Sequence, residues 1–351
     1  MADRVEIAVI DASAEDALPG CEYARQSRYL TSIANRPLIS HVIDSLARGG
    51  IKSILIASGS GAWQHLEPVI RDGEPWGADV SFFETSADAH SWTRLSHMRD
   101  LVAGRPVLLQ PADCLFTGQV MHLRECFSAN NLDVVLLVQS ETGRSGAIPR
   151  PIRSFESVRL PREGPEGTAL VLGGSVWPML DQLPNEPIST ESMIQYLDAA
   201  GLQVRACEVG EHWCYCGSSE QLLAANRIVL DAMPLDSAPP TLSDDIDAQG
   251  RVIVSPSARV CRSALRGPVV IGPDAVVSDS FIGPYTAIGS RATVVGAEID
   301  YTMVLDDAEI RYPGQRLQSS VIGEGALVSK TFELPTGLRL ELSPGSSVIL
   351  G

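Results

Sequence analysis

From residue 5 to about residue 233, short apolar runs alternate with segments whose apolar residues recur at helical spacing. Val5–Asp11, Ile51–Ser58, Val80–Phe83, Pro106–Gln110 and Val134–Val138 are rich in Val, Ile and Leu with little polar alternation. Such runs predict strands covered on both faces. Between the first two, Ile39, Val42, Ile43 and Leu46 stand at i, i+3, i+4 and i+7 and predict an amphipathic helix ended by Gly49-Gly50. Ser218 to Met233 predicts another helix, with Ser218 and Gln221 as a capping box and Leu222, Leu223, Ile228 and Leu230 on its apolar faces. Alternating strands and helices imply an α/β domain around a mainly parallel sheet.

Residues 234–248 are rich in Pro, Ser and Asp and carry no periodicity, which marks a linker. After it the apolar period changes to about six. Val254, Val260, Leu265, Ile271, Val276, Ile282, Ile288, Val294, Ile299 and Val304 form an aliphatic ladder. Ile-Gly doublets at 271–272, 282–283, 288–289 and 322–323 are each followed by a small residue (Ala275, Thr286, Ala292, Ala326). This hexapeptide spacing predicts a parallel β-helix, in which one aliphatic side chain per short strand points to the axis and small residues fill the turns. The expected organisation is an α/β domain over 1–233, a linker over 234–250 and a β-helix over 251–351 that ends in an edge-capping tail, Phe332 to Gly351.

Composition narrows the partners. The chain has 351 residues, 44% of them hydrophobic, and a formal net charge of −16, a balance that repels nucleic acid. No run reaches the ~20 apolar residues of a membrane span, and Met-Ala-Asp-Arg lacks the plan of a signal peptide, so a cytoplasmic location without membrane partners is expected. Seven cysteines (21, 114, 126, 207, 214, 216 and 261) are scattered and odd in number, which reads as reduced thiols.

Ser27 to Leu38 reads Ser-Arg-Tyr-Leu-Thr-Ser-Ile-Ala-Asn-Arg-Pro-Leu. It is similar to the second half of the signature of sugar-1-phosphate nucleotidyltransferases, in which a strand runs into a glycine-rich loop and then into Pro-Lys-x-Leu-x-Pro-Val-x-x-Lys-Pro. Asp72-Gly73-Glu74-Pro75-Trp76-Gly77, Arg266-Gly267-Pro268-Val269-Val270-Ile271-Gly272 and Thr336-Gly337-Leu338-Arg339-Leu340 extend the likeness over nearly the whole chain. The chain therefore resembles the long type of glucose-1-phosphate thymidylyltransferase, from deoxysugar and antibiotic pathways. The resemblance implies a Rossmann-like nucleotidyltransferase domain followed by a left-handed parallel β-helix.

It also implies where chemistry would sit, and there the sequence departs. The family joins a sugar phosphate to the α-phosphorus of a nucleoside triphosphate, a reaction carried by positioning and charge neutralisation. Its glycine loop falls on Ala12–Leu18, which has no glycine or arginine and contains Glu15 and Asp16. The lysine of Pro-Lys falls on Arg28, the later lysine on Arg36, and the acidic segment beside the sugar on Ser189-Thr190-Glu191-Ser192, with Ser189 in place of the leading Glu. One metal carboxylate falls on Asp113; the second falls on Tyr215 in Trp213-Cys214-Tyr215-Cys216-Gly217. The candidate catalytic residues are thus Asp113, Arg28 and Tyr215, and the candidate substrate contacts Arg28, Arg36 and Ser189. Asp113 is the single surviving ligand for Mg²⁺, which it would hold weakly alone.

Alternation along the strand sends Cys214 and Cys216 away from Tyr215, into buried, inert positions beside Cys114. His212 reads as a packing residue. His90, His97 and the basic group Arg144, Arg150 and Arg153 read as solvated loop positions. The expected function is that of a nucleotidyltransferase-fold protein without normal nucleotidyl transfer, acting as a regulatory partner or sugar-nucleotide binder. The alternatives are repurposed chemistry in the old cleft, or an active transferase with an unusual phosphate loop. The expected partners are a sugar phosphate or sugar nucleotide, and further copies of this chain or an active homologue in an oligomer built on residues 251–351.

Overall fold

The computed structural model describes residues 4–13, 27–59, 61, 63–85, 91–116, 118–139, 150–151, 169–180, 182, 190–209, 213–234 and 245–330. The N-terminal half contains, in chain order, β1 (Ile7–Ala12), β2 (Ser32–Ile33), β3 (Arg36–Pro37), α1 (Leu38–Arg48), β4 (Ser53–Ser58), α2 (Trp63–Ile70) and β5 (Asp79–Glu84). It continues with α3 (Ser91–Val102), β6 (Val107–Pro111), β7 (Cys114–Phe116), α4 (Gln119–Ala129), β8 (Val134–Gln139), β9 (Arg150–Pro151) and β10 (Leu170–Leu172). α5 (Trp177–Leu180), α6 (Thr190–Ala199), β11 (Val204–Val209), β12 (Trp213–Tyr215) and α7 (Ser219–Asp231) complete it.

Eight strands form one sheet in the order β5-β4-β1-β6-β10-β8-β11-β9. Alternation along β1 covers both faces. Ala8 and Ile10 pack with Ile39, Ile43 and Leu66 of α1 and α2, and with Leu123 and Phe127 of α4. Ile7 and Val9 pack with Met98, Trp177 and Ile194 of α3, α5 and α6. The expected parallel sheet holds for β5, β4, β1 and β6. In its far half β10 runs antiparallel to both neighbours, and a three-residue strand of this kind left no pattern to read. The predicted helix at 218–233 is α7. Ser218 accepts from the Gln221 N–H at 3.3 Å, while the Gln221 side chain accepts from Gly217 at 3.1 Å, one residue earlier than a capping box requires.

The C-terminal half is a three-sided parallel β-helix, three stacks of five strands each. Val269 pairs with Thr286, Ala287 with Met303 and Met303 with Val321, so successive coils advance by 17, 16 and 18 residues. Its axis is filled by Leu265, Ile271, Val277, Ile282, Ile288, Val294, Ile299, Val304 and Ile310, all essentially inaccessible. Val277 occupies the place expected for Val276: the step from Ile271 is a full six residues, and the five-residue step of this coil falls next, between Val277 and Ile282. Corners take left-handed backbone, including the column Arg262, Asp279, Gly296 and Tyr312, each with positive φ. The first strand, Ile246–Gln249, lies inside the segment whose composition reads as linker. The expected tail, Phe332 to Gly351, lies outside the described residues.

The two halves are joined by the β2–β3 hairpin. Ala34 (φ 47°) and Asn35 (φ 63°) supply the pair of positive φ values of a tight two-residue turn. At its tip Asn35 donates to the Ile288 carbonyl at 2.6 Å, and Ala34 N–H donates to Asn226 Oδ1 at 3.0 Å. Asn226, buried in α7, passes the connection on by donating to the Tyr285 carbonyl at 3.1 Å. Below this clasp Ile33, Leu38, Leu222 and Leu223 pack with Met303 and Leu305 of the β-helix. His41 Nε2 donates to the Ile33 carbonyl at 2.8 Å, and burial lowers its pKa below the ordinary 6.5.

Two predictions follow from the packing. A Cβ at Gly289 would stand 2.7 Å from backbone atoms of Asp306 and Leu305 in the next coil. Gly289→Ala should therefore cost about 1–3 kcal/mol in chemical denaturation. His41 is neutral in the fold, whereas the unfolded chain protonates it near pH 6.5. The stability it confers is complete above that pH and declines as pH falls below it. The stability advantage of wild type over His41→Gln should accordingly narrow below pH 6.5 in urea titrations.

Candidate active-site cleft

β1 pairs with β4 on one side and β6 on the other, both parallel, so the winding direction switches between β1 and β6. The carboxyl ends of these two strands border a crevice, the position where open α/β sheets bind ligands. Asp11 and Asp113 stand at this edge, linked by the Ala112 N–H donating to the Asp11 carbonyl at 2.9 Å. The Asp11 carboxylate is turned back on its own loop, accepting from the Ser13 N–H at 3.1 Å and from the Ser13 hydroxyl.

Arg28 enters the crevice from a short 3₁₀ turn, Arg28–Leu30, whose first N–H groups are capped by Ser27. Its Nη2 lies 2.5 Å from Asp113 Oδ2, with side-chain exposures of only 10% and 4%. The same Nη2 donates to Tyr29 Oη at 3.3 Å, and the guanidinium carbon sits 4.9 Å from the Tyr29 ring centroid. Burial by itself would lower the Arg28 pKa; Tyr29 and Asp113 outweigh it and hold the group above its ordinary value. Burial also pushes the Tyr29 phenol up, so it stays protonated. Arg28 Nε is buried and has no hydrogen-bond partner among the described residues.

Tyr215 pairs with Cys114 across the β12–β7 ladder, and the Cys216 N–H donates to the Asp113 carbonyl at 2.9 Å. The segments carrying Asp113 and Tyr215 therefore meet. The Tyr215 ring lies against Gly217, where a Cβ would come within 2.2 Å of it. Cys214 and Cys216 are buried on the other side, among Leu222, Leu223 and Met303. There the hydrogen bond with Cys214, followed by burial, keeps the Cys216 thiol well above the usual range. A phenol and a carboxylate already paired with a guanidinium do not make the oxygen donor set of a Mg²⁺ site.

The remaining candidates lie elsewhere. Arg36 lines a cavity of about 770 Å³ between α1, α4, α7 and the β-helix, together with His41, Arg48, Val120, Met121 and Ile271. Neither Arg28 nor Asp113 belongs to that lining. Ser189, residues 14–18 of the aligned phosphate loop, His90, His212, Arg144 and Arg153 fall outside the described residues. Arg150 is on β9 and His97 on α3. Tyr29 was not singled out from the sequence; the signal was an aromatic residue directly after the first cation of the motif.

The fold is like that of sugar nucleotidyltransferases, and sequence comparison finds particular proteins to which the chain is similar. It is similar to the glucose-1-phosphate thymidylyltransferase of Streptomyces antibioticus, 24% identical with 92% of this chain and 93% of that protein covered. The enzyme of the same name from Streptomyces griseus is 24% identical over 91% and 92% of the two chains. The low-salt glycan biosynthesis nucleotidyltransferase Agl11 of Haloferax volcanii is 25% identical over 92% and 94%. Among solved structures, a protein assigned as a glucose-1-phosphate thymidylyltransferase from Bacillus anthracis, in complex with sucrose, superposes with a TM-score of 0.53 and 14% identity. The match covers 65% of this chain and 97% of that one and supports the fold. No family model matches the chain.

The ion pair yields a thermodynamic expectation. Arg28→Met or Asp113→Leu alone leaves a buried charge without its ion-pair partner and should destabilise by about 3–5 kcal/mol. The double substitution should recover much of that loss, giving a strongly non-additive double-mutant cycle. Additive losses in urea denaturation would show that the two groups do not depend on one another.

Proposed function

We propose that this protein keeps the nucleotidyltransferase fold without the family's nucleotidyl transfer, and serves as a sugar-phosphate or sugar-nucleotide binder and regulatory partner. The observation that carries this reading is the Arg28–Asp113 contact at 2.5 Å. In the family pattern the cation at this position faces phosphate and the carboxylate faces metal. Here each neutralises the other, and Tyr215 stands where the second metal carboxylate is expected. Transfer to an α-phosphorus needs positive charge left over for the triphosphate and its leaving pyrophosphate. A guanidinium already spent on a carboxylate supplies little, and the acidic Glu15 and Asp16 of the aligned loop oppose it.

The binding part of the proposal is supported by the buried Arg28 Nε, a donor with no partner among the described residues that a ligand oxygen could meet. The partner part is supported by Ile253 and Tyr312, large apolar side chains exposed on the β-helix. The clasp between the halves holds the β-helix firmly on the α/β domain, as an assembled scaffold requires. By this proposal, homologous or identical chains meet through residues 251–351, in a sugar or natural-product pathway.

The test is pyrophosphate release by purified protein supplied with each nucleoside triphosphate, Mg²⁺ or Mn²⁺, and glucose 1-phosphate. No turnover above the protein-free rate is expected. Turnover of about 1 s⁻¹ or more, the ordinary enzyme range, would overturn the proposal.

A further inference from the structure

Away from the cleft, α4 packs on the far half of the sheet. His122 and Cys126 are four residues apart and share one face of this helix. Cys207 lies within β11, in the hydrophobic core that α4 covers. Cys126 Sγ is 3.0 Å from Cys207 Sγ and 3.7 Å from His122 Nε2. The three donor atoms all lie within 4.8 Å of one another, and among the described residues no other such His, Cys, Asp and Glu group occurs. Both thiols are buried, at 4% and 0% exposure, and His122 is half-buried at the edge.

We propose that His122, Cys126 and Cys207 form a binding site for a thiophilic divalent cation of the zinc class, bracing α4 against β11. Two thiolates and an imidazole are a donor set that zinc-class ions prefer, and water completes a four-coordinate shell. Binding exchanges two thiol protons for one M²⁺, so the first shell is electrically neutral. Neutrality matters because the sulfurs are buried, where net charge is costly. Bond lengths of about 2.3 Å to sulfur and 2.0 Å to nitrogen at tetrahedral angles place S and N about 3.5 Å apart and the sulfurs about 3.8 Å apart. The Cys126 S···N distance already fits, and Cys207 Sγ stands within 4.8 Å of the imidazole nitrogen. The sulfurs must part by about 0.8 Å, a small side-chain rotation.

A disulfide between Cys126 and Cys207 is the competing chemistry, but it leaves the third donor unexplained. His122 is presented one helical turn from Cys126 and aimed at its sulfur, as a ligand would be. The site is independent of the Arg28–Asp113 cleft, and so is its test.

The full-length protein, reduced with a phosphine and stripped by chelator, is titrated with Co²⁺ and then challenged with Zn²⁺. One equivalent of Co²⁺ should produce thiolate-to-cobalt charge-transfer absorption and the intense visible bands of tetrahedral cobalt. Zn²⁺ should erase both and raise the melting temperature. Cys207→Ser should abolish the charge-transfer band. His122→Gln, a half-buried change that spares the thiols and the core, should weaken Co²⁺ binding at least about tenfold. Absence of a thiolate–cobalt band in the folded wild-type protein would overturn the proposal. So would a band unaffected by His122→Gln, or a protein that binds no cobalt yet loses Cys126 and Cys207 thiols together to mild peroxide.

Discussion

The buried ion pair between Arg28 and Asp113 is the constraint around which the cleft is arranged. A guanidinium and a carboxylate withdrawn from water are each costly alone and tolerable together. Once they are paired, neighbouring groups are placed to serve the pair: Tyr29 accepts a hydrogen bond from Arg28 and lends it a ring face. Tyr215 adds bulk at the edge, and Gly217 supplies the room for its ring. The charges of Arg28 and Asp113 are turned toward one another, and the proposed loss of transfer rests on that inward turn.

The motif that points to a transferase has a second, structural use in this molecule. Ile33-Ala34-Asn35-Arg36-Pro37 forms a hairpin whose tip is anchored to the β-helix through Asn35, and through Asn226 to Tyr285. These are direct hydrogen bonds between groups that folding removes from solvent, and losing a partner there is expensive. A sequence motif can therefore persist because it holds two halves of a protein together, independently of any chemistry at its flanks. Arg36, which extends the motif, lies on a different cavity from Arg28.

Much of the fold was legible because its signals are local and repeated. Ten aliphatic steps at a period of about six specify a β-helix better than any single one, and the slip from Val276 to Val277 is a choice between two adjacent valines of which the second points to the axis. β10 was not legible: three residues inserted antiparallel between β6 and β8 carry no distinctive period. In the cleft, Arg28 and Asp113 could each be picked out by resemblance, but their contact spans 85 positions and no local pattern encodes it. Cys126 and Cys207, 81 positions apart, are the same kind of case. Pairings across the fold depend on register in the sheet, which a single sequence reveals only indirectly.

Binding of nucleotide in the presence and absence of metal probes the cleft most directly, because it needs no turnover and no assumption about the sugar. Titration calorimetry of the wild-type protein with a nucleoside triphosphate should show no affinity that depends on Mg²⁺, since Asp113 is engaged with Arg28. Heat of binding that appears only with Mg²⁺ and disappears in Asp113→Asn would contradict the inward-paired cleft and restore a working metal site.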